Sequence, residues 1–125
     1  MLTSELAFGL HHDLIGDALV LTLHGEIDAW ATQELATPLT ALLDLPAARV
    51  VVDLRPVTFL DASGLRLLCH IKRITDAGGR PLCLVRGHPR VWRVLLLTRM
   101  EHHFTAVDTL IAALPAALAP YVLRP

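Results

Sequence analysis

Lysine is almost missing from this chain: ten of the 11 basic residues are arginine, with Lys72 the one exception. Charge of either sign is not in excess, since 12 acidic residues stand against those 11 and the sequence pI is 6.6. A balance of this kind supplies no broad positive field for a phosphate backbone, which excludes direct nucleic-acid binding as the expected role. Cysteine is scarce too. Cys69 and Cys83 have neither C-x-x-C spacing nor a framework of further cysteines, so a disulfide-stapled fold is excluded and reduced thiols in a cytoplasmic protein are expected. No glycine-rich phosphate loop is present, because Gly78-Gly79 follows a helical pattern instead of opening one.

Long hydrophobic runs are also lacking, although mean hydropathy reaches +0.52. Residues 109–123 are uncharged, but they hold Pro115 and Pro120 and fall short of the roughly 18 to 20 apolar residues that span a bilayer. Residues 1–12 carry Glu5 and no basic segment ahead of an apolar stretch, so they do not read as a signal peptide. A high apolar content without a span predicts an apolar surface that faces a partner or, as in a homodimer, a second copy of the chain.

What is present is one domain's worth of patterned sequence. A chain of 125 residues with 54% hydrophobic residues can bury roughly two-thirds of its unfolded surface, and residues 1–125 are expected to form a single domain. Residues 5–10 and 18–25 read as two strands around 11–17, where Gly16-Asp17 supplies the turn, and 18–23 is apolar almost throughout, as a central strand buried on both faces would be. Leu35, Leu39, Leu42 and Leu43 recur at helical spacing before Pro46. Pro38 predicts that this helix either begins just before it, with Thr37 as cap, or bends there.

Residues 49–54 read as a buried strand, 55–62 as a loop, and a helix starts near Ser63-Gly64. Leu67, Leu68, Ile71 and Ile74 form its core stripe, with Leu65 and Cys69 beside it, and Gly78-Gly79 ends it. Residues 81–85 then give a strand, 89–98 a helix with Val91, Val94 and Leu95 inward, 104–107 a short strand and 109–118 a last helix. Strands alternating with helices predict an α/β domain.

The chemistry concentrates around Ser63. It stands where a strand's loop becomes a helix, a place where backbone N–H groups lack intrahelical partners. Either Ser63 or Asp61 caps that helix, and Ser63 can also be an exposed hydroxyl that accepts a phosphoryl group held by those N–H groups. A hydrolase nucleophile elbow is excluded, since Asp61 and Leu65 occupy the places where glycines are required. His11-His12 and His102-His103 lack the spacing and companion ligands of a metal site, and no cofactor motif is found.

Gly25-Glu26-Ile27-Asp28, then Val50-Val51-Val52-Asp53-Leu54, then Phe59-Leu60-Asp61-Ala62-Ser63-Gly64-Leu65, and finally Val91-Trp92-Arg93-Val94-Leu95 through Phe104 together resemble a bacterial STAS domain of the anti-sigma factor antagonist (anti-anti-sigma factor) type. The similarity covers about residues 6–114 and leaves an apolar tail at 115–125. The resemblance implies a mixed sheet of about four or five strands with about four helices packed largely on one side. It implies a non-enzymatic protein that binds an anti-sigma factor serine kinase of the GHKL ATPase type and thereby regulates sigma-factor-dependent transcription. It implies phosphorylation of Ser63, release of the modified form, and a phosphatase that resets it. The recognition surface carried over is Asp28, Asp61, Ala62, Ser63, Gly64, Leu65 and Cys69, with Ala62 replacing the frequent Ser or Thr before the acceptor. The competing expectation is an unphosphorylated scaffold or regulatory subunit of a stress-sensing complex or transporter, with the apolar tail as a docking helix.

A phosphoryl group adds roughly −1.5 to −2 charges at pH 7. At roughly 5 Å and an effective dielectric near 20, each unit pair with Asp61 or Asp28 costs about 3 kcal/mol. The helix N-terminus offsets about 0.3 to 1 kcal/mol. Repulsion is therefore expected to win at a covered interface and to weaken binding by about 10² to 10⁴.

Overall fold

The computed structural model describes residues 7–114. Within them the order is β1 (Phe8–Ile15), β2 (Ala18–Ile27), α1 (Ala29–Leu42), β3 (Arg49–Asp53), β4 (Val57–Leu60), α2 (Ala62–Ala77), β5 (Leu82–Val85), α3 (Pro89–Leu97), a 3₁₀ turn at Glu101–His103, β6 (Thr105–Val107) and α4 (Leu110–Ala113). The six strands form one mixed sheet in the order β1-β2-β3-β5-β6, with β4 also on β2. The β1–β2 pair is antiparallel and the other pairs are parallel. The sheet thus holds one or two strands more than the sequence predicts.

The additional strand is β4, inside the stretch expected to be a loop. It runs along the same edge of β2 as β3, but farther on: β3 pairs with Ala18–Thr22, whereas β4 pairs with Gly25 to Ile27 after a register shift at Gly25/Glu26. Asp53 and Val57 are separated by a tight turn in which Val57 N–H donates to the Leu54 carbonyl at 3.1 Å. A strand this short gains its backbone bonds from β2, and no period of its own marks it.

Two further expectations are corrected. Residues 11–15, expected outside the strand, continue β1 in register with β2 as far as Ile15↔Ala18, while the turn falls at Gly16-Asp17 as expected. An edge strand satisfies half its backbone groups with solvent and tolerates polar side chains such as His11, His12 and Asp13, which hid it. Residues 5 and 6 of the expected strand lie outside the described residues. Pro38 lies inside α1, not at its start, and the cap is Asp28 instead of Thr37. Pro38 and Glu34 are both exposed, so the carbonyl that the proline leaves without a donor can turn to water.

The apolar alternation of the strands divides the core. Leu19, Leu21, Leu23, Val50, Val52 and Leu84 face α1, α2 and α3, which contribute Ala31, Leu35, Leu39, Leu67, Leu68, Ile71, Val91 and Leu95. Ala18, Val20, Val51 and Val85 face the opposite way and meet Ala113 and Leu114. Three helices therefore cover one face, and α4 begins to cover the other. Burial on both sides explains why β2 and β3 are nearly continuous apolar runs. The last helix has four residues within the described part and ends before Leu114. The rest of the expected helix and the apolar tail lie outside the described residues. No described helix is long and apolar enough to cross a membrane.

Candidate functional site

Ile27 and Leu60 pair at the ends of β2 and β4, which sets the following residues, Asp28 and Asp61, side by side where α1 and α2 begin. Both aspartates are helix caps. Asp28 Oδ1 accepts from Ala31 N–H at 2.9 Å, and Asp61 Oδ1 accepts from Ser63 and Gly64 N–H at 2.9 and 3.1 Å. Of the two residues that could cap α2, Asp61 does so. A consequence follows for the anion-holding role expected of this helix start: two of its N–H groups are already occupied by a carboxylate.

Gly64 explains why the two motifs belong together. A Cβ there would lie 2.3 Å from Leu60 Cδ1 and 2.7 Å from the Ile27 carbonyl oxygen. Only glycine lets α2 approach the end of β2 this closely, and any larger residue would push Ser63 away from Asp28.

Ser63 follows its cap on the first turn, but its hydroxyl is not open to solvent as the sequence predicts. The residue is only 9% exposed, and Arg66 donates from Nη2 to Ser63 Oγ at 2.9 Å. Arg66 itself is exposed, so the partner of this hydroxyl is a long surface side chain. Arg66 stands three residues after Ser63 on the same helix, the spacing at which side chains meet, and that spacing is the signal that could have singled it out. It also changes the charge balance, because a cation stands 2.9 Å from the acceptor oxygen.

The remaining residues carried over from the resemblance divide by face. Ala62 is exposed beside Ser63, while Gly64 and Leu65 are buried. Leu65 belongs to the main core, and Cys69 is a half-buried free thiol packed against it. Two aromatics on the elements that carry the site are exposed: Phe59 on β4 at 47% and Trp30 on α1 at 56%. Trp30 is fixed by an edge-to-face contact with Phe8 at 5.2 Å between centroids.

A second carboxylate–arginine arrangement lies at the start of β4. Asp53, 4% exposed, accepts from Arg55 Nε at 3.0 and 3.2 Å and from Arg55 Nη2 at 2.8 Å, besides the Arg55 backbone N–H at 3.0 Å. Hydrogen bonds and attraction from Asp53 raise the Arg55 pKa above its usual value, against a small opposing effect of burial. Among the described residues no three His, Cys, Asp or Glu side chains converge as a metal site would need.

A family model for the STAS domain matches residues 11–113. Among solved structures, the chain is similar to an anti-sigma factor antagonist from Mycobacterium paratuberculosis, with 24% identity and a TM-score of 0.74 over 88% of this chain and 93% of that one. It is similar to the Bacillus cell fate determinant SpoIIAA in its phosphorylated form, with 19% identity and a TM-score of 0.64 over 87% and 97%. It is also similar to a sulfate transporter family protein from Wolinella succinogenes, with 18% identity and a TM-score of 0.68 over 81% and 84%. At such identities these likenesses establish a shared fold.

Proposed function

Because the chain belongs to the STAS domain family, we propose that it is an anti-sigma factor antagonist that works by partner switching. Unphosphorylated, it binds an anti-sigma factor serine kinase of the GHKL type through the surface around Ser63, in the cytoplasm and without catalysis of its own. Phosphorylation of Ser63 releases it, and a phosphatase restores it. The observation that carries this reading is the placement of Ser63: a hydroxyl on the first turn of α2, bonded by one exposed side chain and next to the exposed Ala62. Arg66 is the side-chain partner that a kinase must displace from Oγ, and the exposed Phe59 on the strand leading into α2 supplies the kind of stiff contact area that interfaces favour.

The electrostatics differ from the sequence expectation in degree. Asp61 and Asp28 keep their negative charge near the modified residue while their oxygens serve the helix starts. Arg66 pairs with the new dianion and returns about 1.5 to 3 kcal/mol, the usual worth of a charge-assisted bond. Release then falls below the expected range, to about 10- to 10²-fold. That suffices for a switch without refolding.

Incubation with candidate kinases and ATP, followed by intact-mass measurement, tests this. One added phosphate mapped to Ser63, and none on Ser63→Ala, is the expected outcome; equal incorporation into both chains would end the proposal. The Ser63→Ala chain should also bind its kinase persistently, because it cannot be modified and the hydroxyl's one side-chain partner is a surface arginine. The low exposure of Ser63 supports a second reading, an unphosphorylated scaffold or subunit of a stress-sensing complex or transporter. Stable assembly with such a complex and no phosphate uptake from any tested kinase favours it.

A further inference from the structure

At the opposite end of β4 from Ser63, Arg55, Val57, Thr58, His88 and Arg90 line a cavity of about 260 Å³. We infer that it is a separate binding site for a phosphoryl oxyanion, either borne by a small ester or free. The polar groups lining it are all able to donate, and no carboxylate is among them. Asp53, the acid closest in sequence, is spent on Arg55, where it occupies Nε and one Nη2 proton and leaves Nη1 free of it. Arg90 makes no ion pair among the described residues.

Two of the donors, Arg55 and His88, are also held in place before any ligand arrives. His88 Nδ1 accepts from Arg90 N–H at 3.0 Å, which leaves the proton of the neutral ring on Nε2. The loop carrying His88 is locked to the turn carrying Arg55, because a Cβ on Gly87 would lie 2.4 Å from the Leu54 carbonyl oxygen and 2.9 Å from Arg55 Cα. Leu54 N–H donates to the Val85 carbonyl at 3.0 Å across the same junction. The positive end of α3, which starts at Pro89, adds to the field. A tetrahedral dianion offers several acceptor oxygens at once, the complement of convergent guanidinium, imidazole and hydroxyl donors. The volume lies just below the range of drug-sized pockets, which suits a small phosphorylated molecule.

Titration of the full-length ¹⁵N-labelled chain with inorganic phosphate and with ribose 5-phosphate, at matched ionic strength in chloride, tests this by amide shifts. Saturable shifts are expected at Arg55, Thr58, His88 and Arg90. An ester bound about tenfold tighter than phosphate assigns the site to an ester, and equal affinities assign it to the free ion. Arg90→Ala, on an exposed residue, should weaken binding about tenfold or more, the loss of one charge-assisted contact. Arg93→Ala on the same helix, and Ser63→Ala, should leave it unchanged. Shifts that never saturate, or equal losses in Arg90→Ala and Arg93→Ala, would overturn the inference whatever becomes of Ser63.

Discussion

Arg55 and Arg66 flank the same short strand, β4, and do opposite work. Arg55 is pinned to a nearly buried carboxylate by both Nε and Nη2, while Arg66 holds a neutral hydroxyl through a single bond. A guanidinium matched to a carboxylate is a fixed part of the fold, because its removal strands a buried charge. A guanidinium resting on a hydroxyl gives up little when it leaves, since water replaces that bond at small net cost. One end of β4 is therefore built to stay and the other to yield, which is what the proposed switch requires.

The sharpest way to break this contrast is to remove each arginine in turn. Arg55→Ala should lower unfolding stability by about 2 to 3 kcal/mol, below the full cost of breaking a buried pair because about half of the Arg55 side chain is in solvent. Denaturant titration reads this directly. The sign with pH is also fixed. Arg55 has a raised pKa, so its contribution is complete below its ordinary pKa and lost only as pH climbs through the raised one, far above neutrality. From this residue no slope is expected between pH 6 and 9. A loss under 0.5 kcal/mol would mean that Arg55 is as dispensable as Arg66 is argued to be.

Gly64→Ala comes next in size. Its Cβ would meet the Ile27 carbonyl, part of a backbone ladder that cannot retreat, and overpacking of this kind costs about 1 to 3 kcal/mol. The same change should impair kinase binding beyond its effect on stability, since α2 must lift away from Asp28. A chain that is destabilised but binds with unchanged affinity would separate the packing role of Gly64 from the surface it positions.

These residues also mark how far the sequence alone could be read. The β3 strand, the α2 stripe and the Ser63 position follow from local pattern: a β-branched run, helical spacing and a cap signal. Asp61 and Gly64 are legible as motif letters, but their physical reasons are tertiary, since Gly64 is required by the Ile27 carbonyl, 37 residues earlier in the chain. The β4 strand was hidden because its four residues owe their conformation to the far end of β2, and β1 was read short because an edge strand may be polar. Arg66 escaped for another reason. A surface arginine on a helix has no signature until one sees which oxygen it covers.

The smallest effect bears most directly on the yielding end. Arg66→Ala should change stability by less than about 0.5 kcal/mol, as an exposed side chain making one net-weak bond would. It should raise the rate at which a cognate kinase modifies Ser63 by about twofold, the equivalent of the roughly 0.5 kcal/mol no longer needed to displace Arg66. The phosphorylated Arg66→Ala chain should then bind that kinase about tenfold more weakly than phosphorylated wild type, because nothing remains to neutralise the dianion beside Asp61. Rate and affinity thus move in directions that a purely structural arginine cannot produce. Unchanged phosphorylation kinetics together with an unchanged affinity ratio would place Arg66 with the inert surface and leave the hydroxyl's burial to be explained by the fold alone.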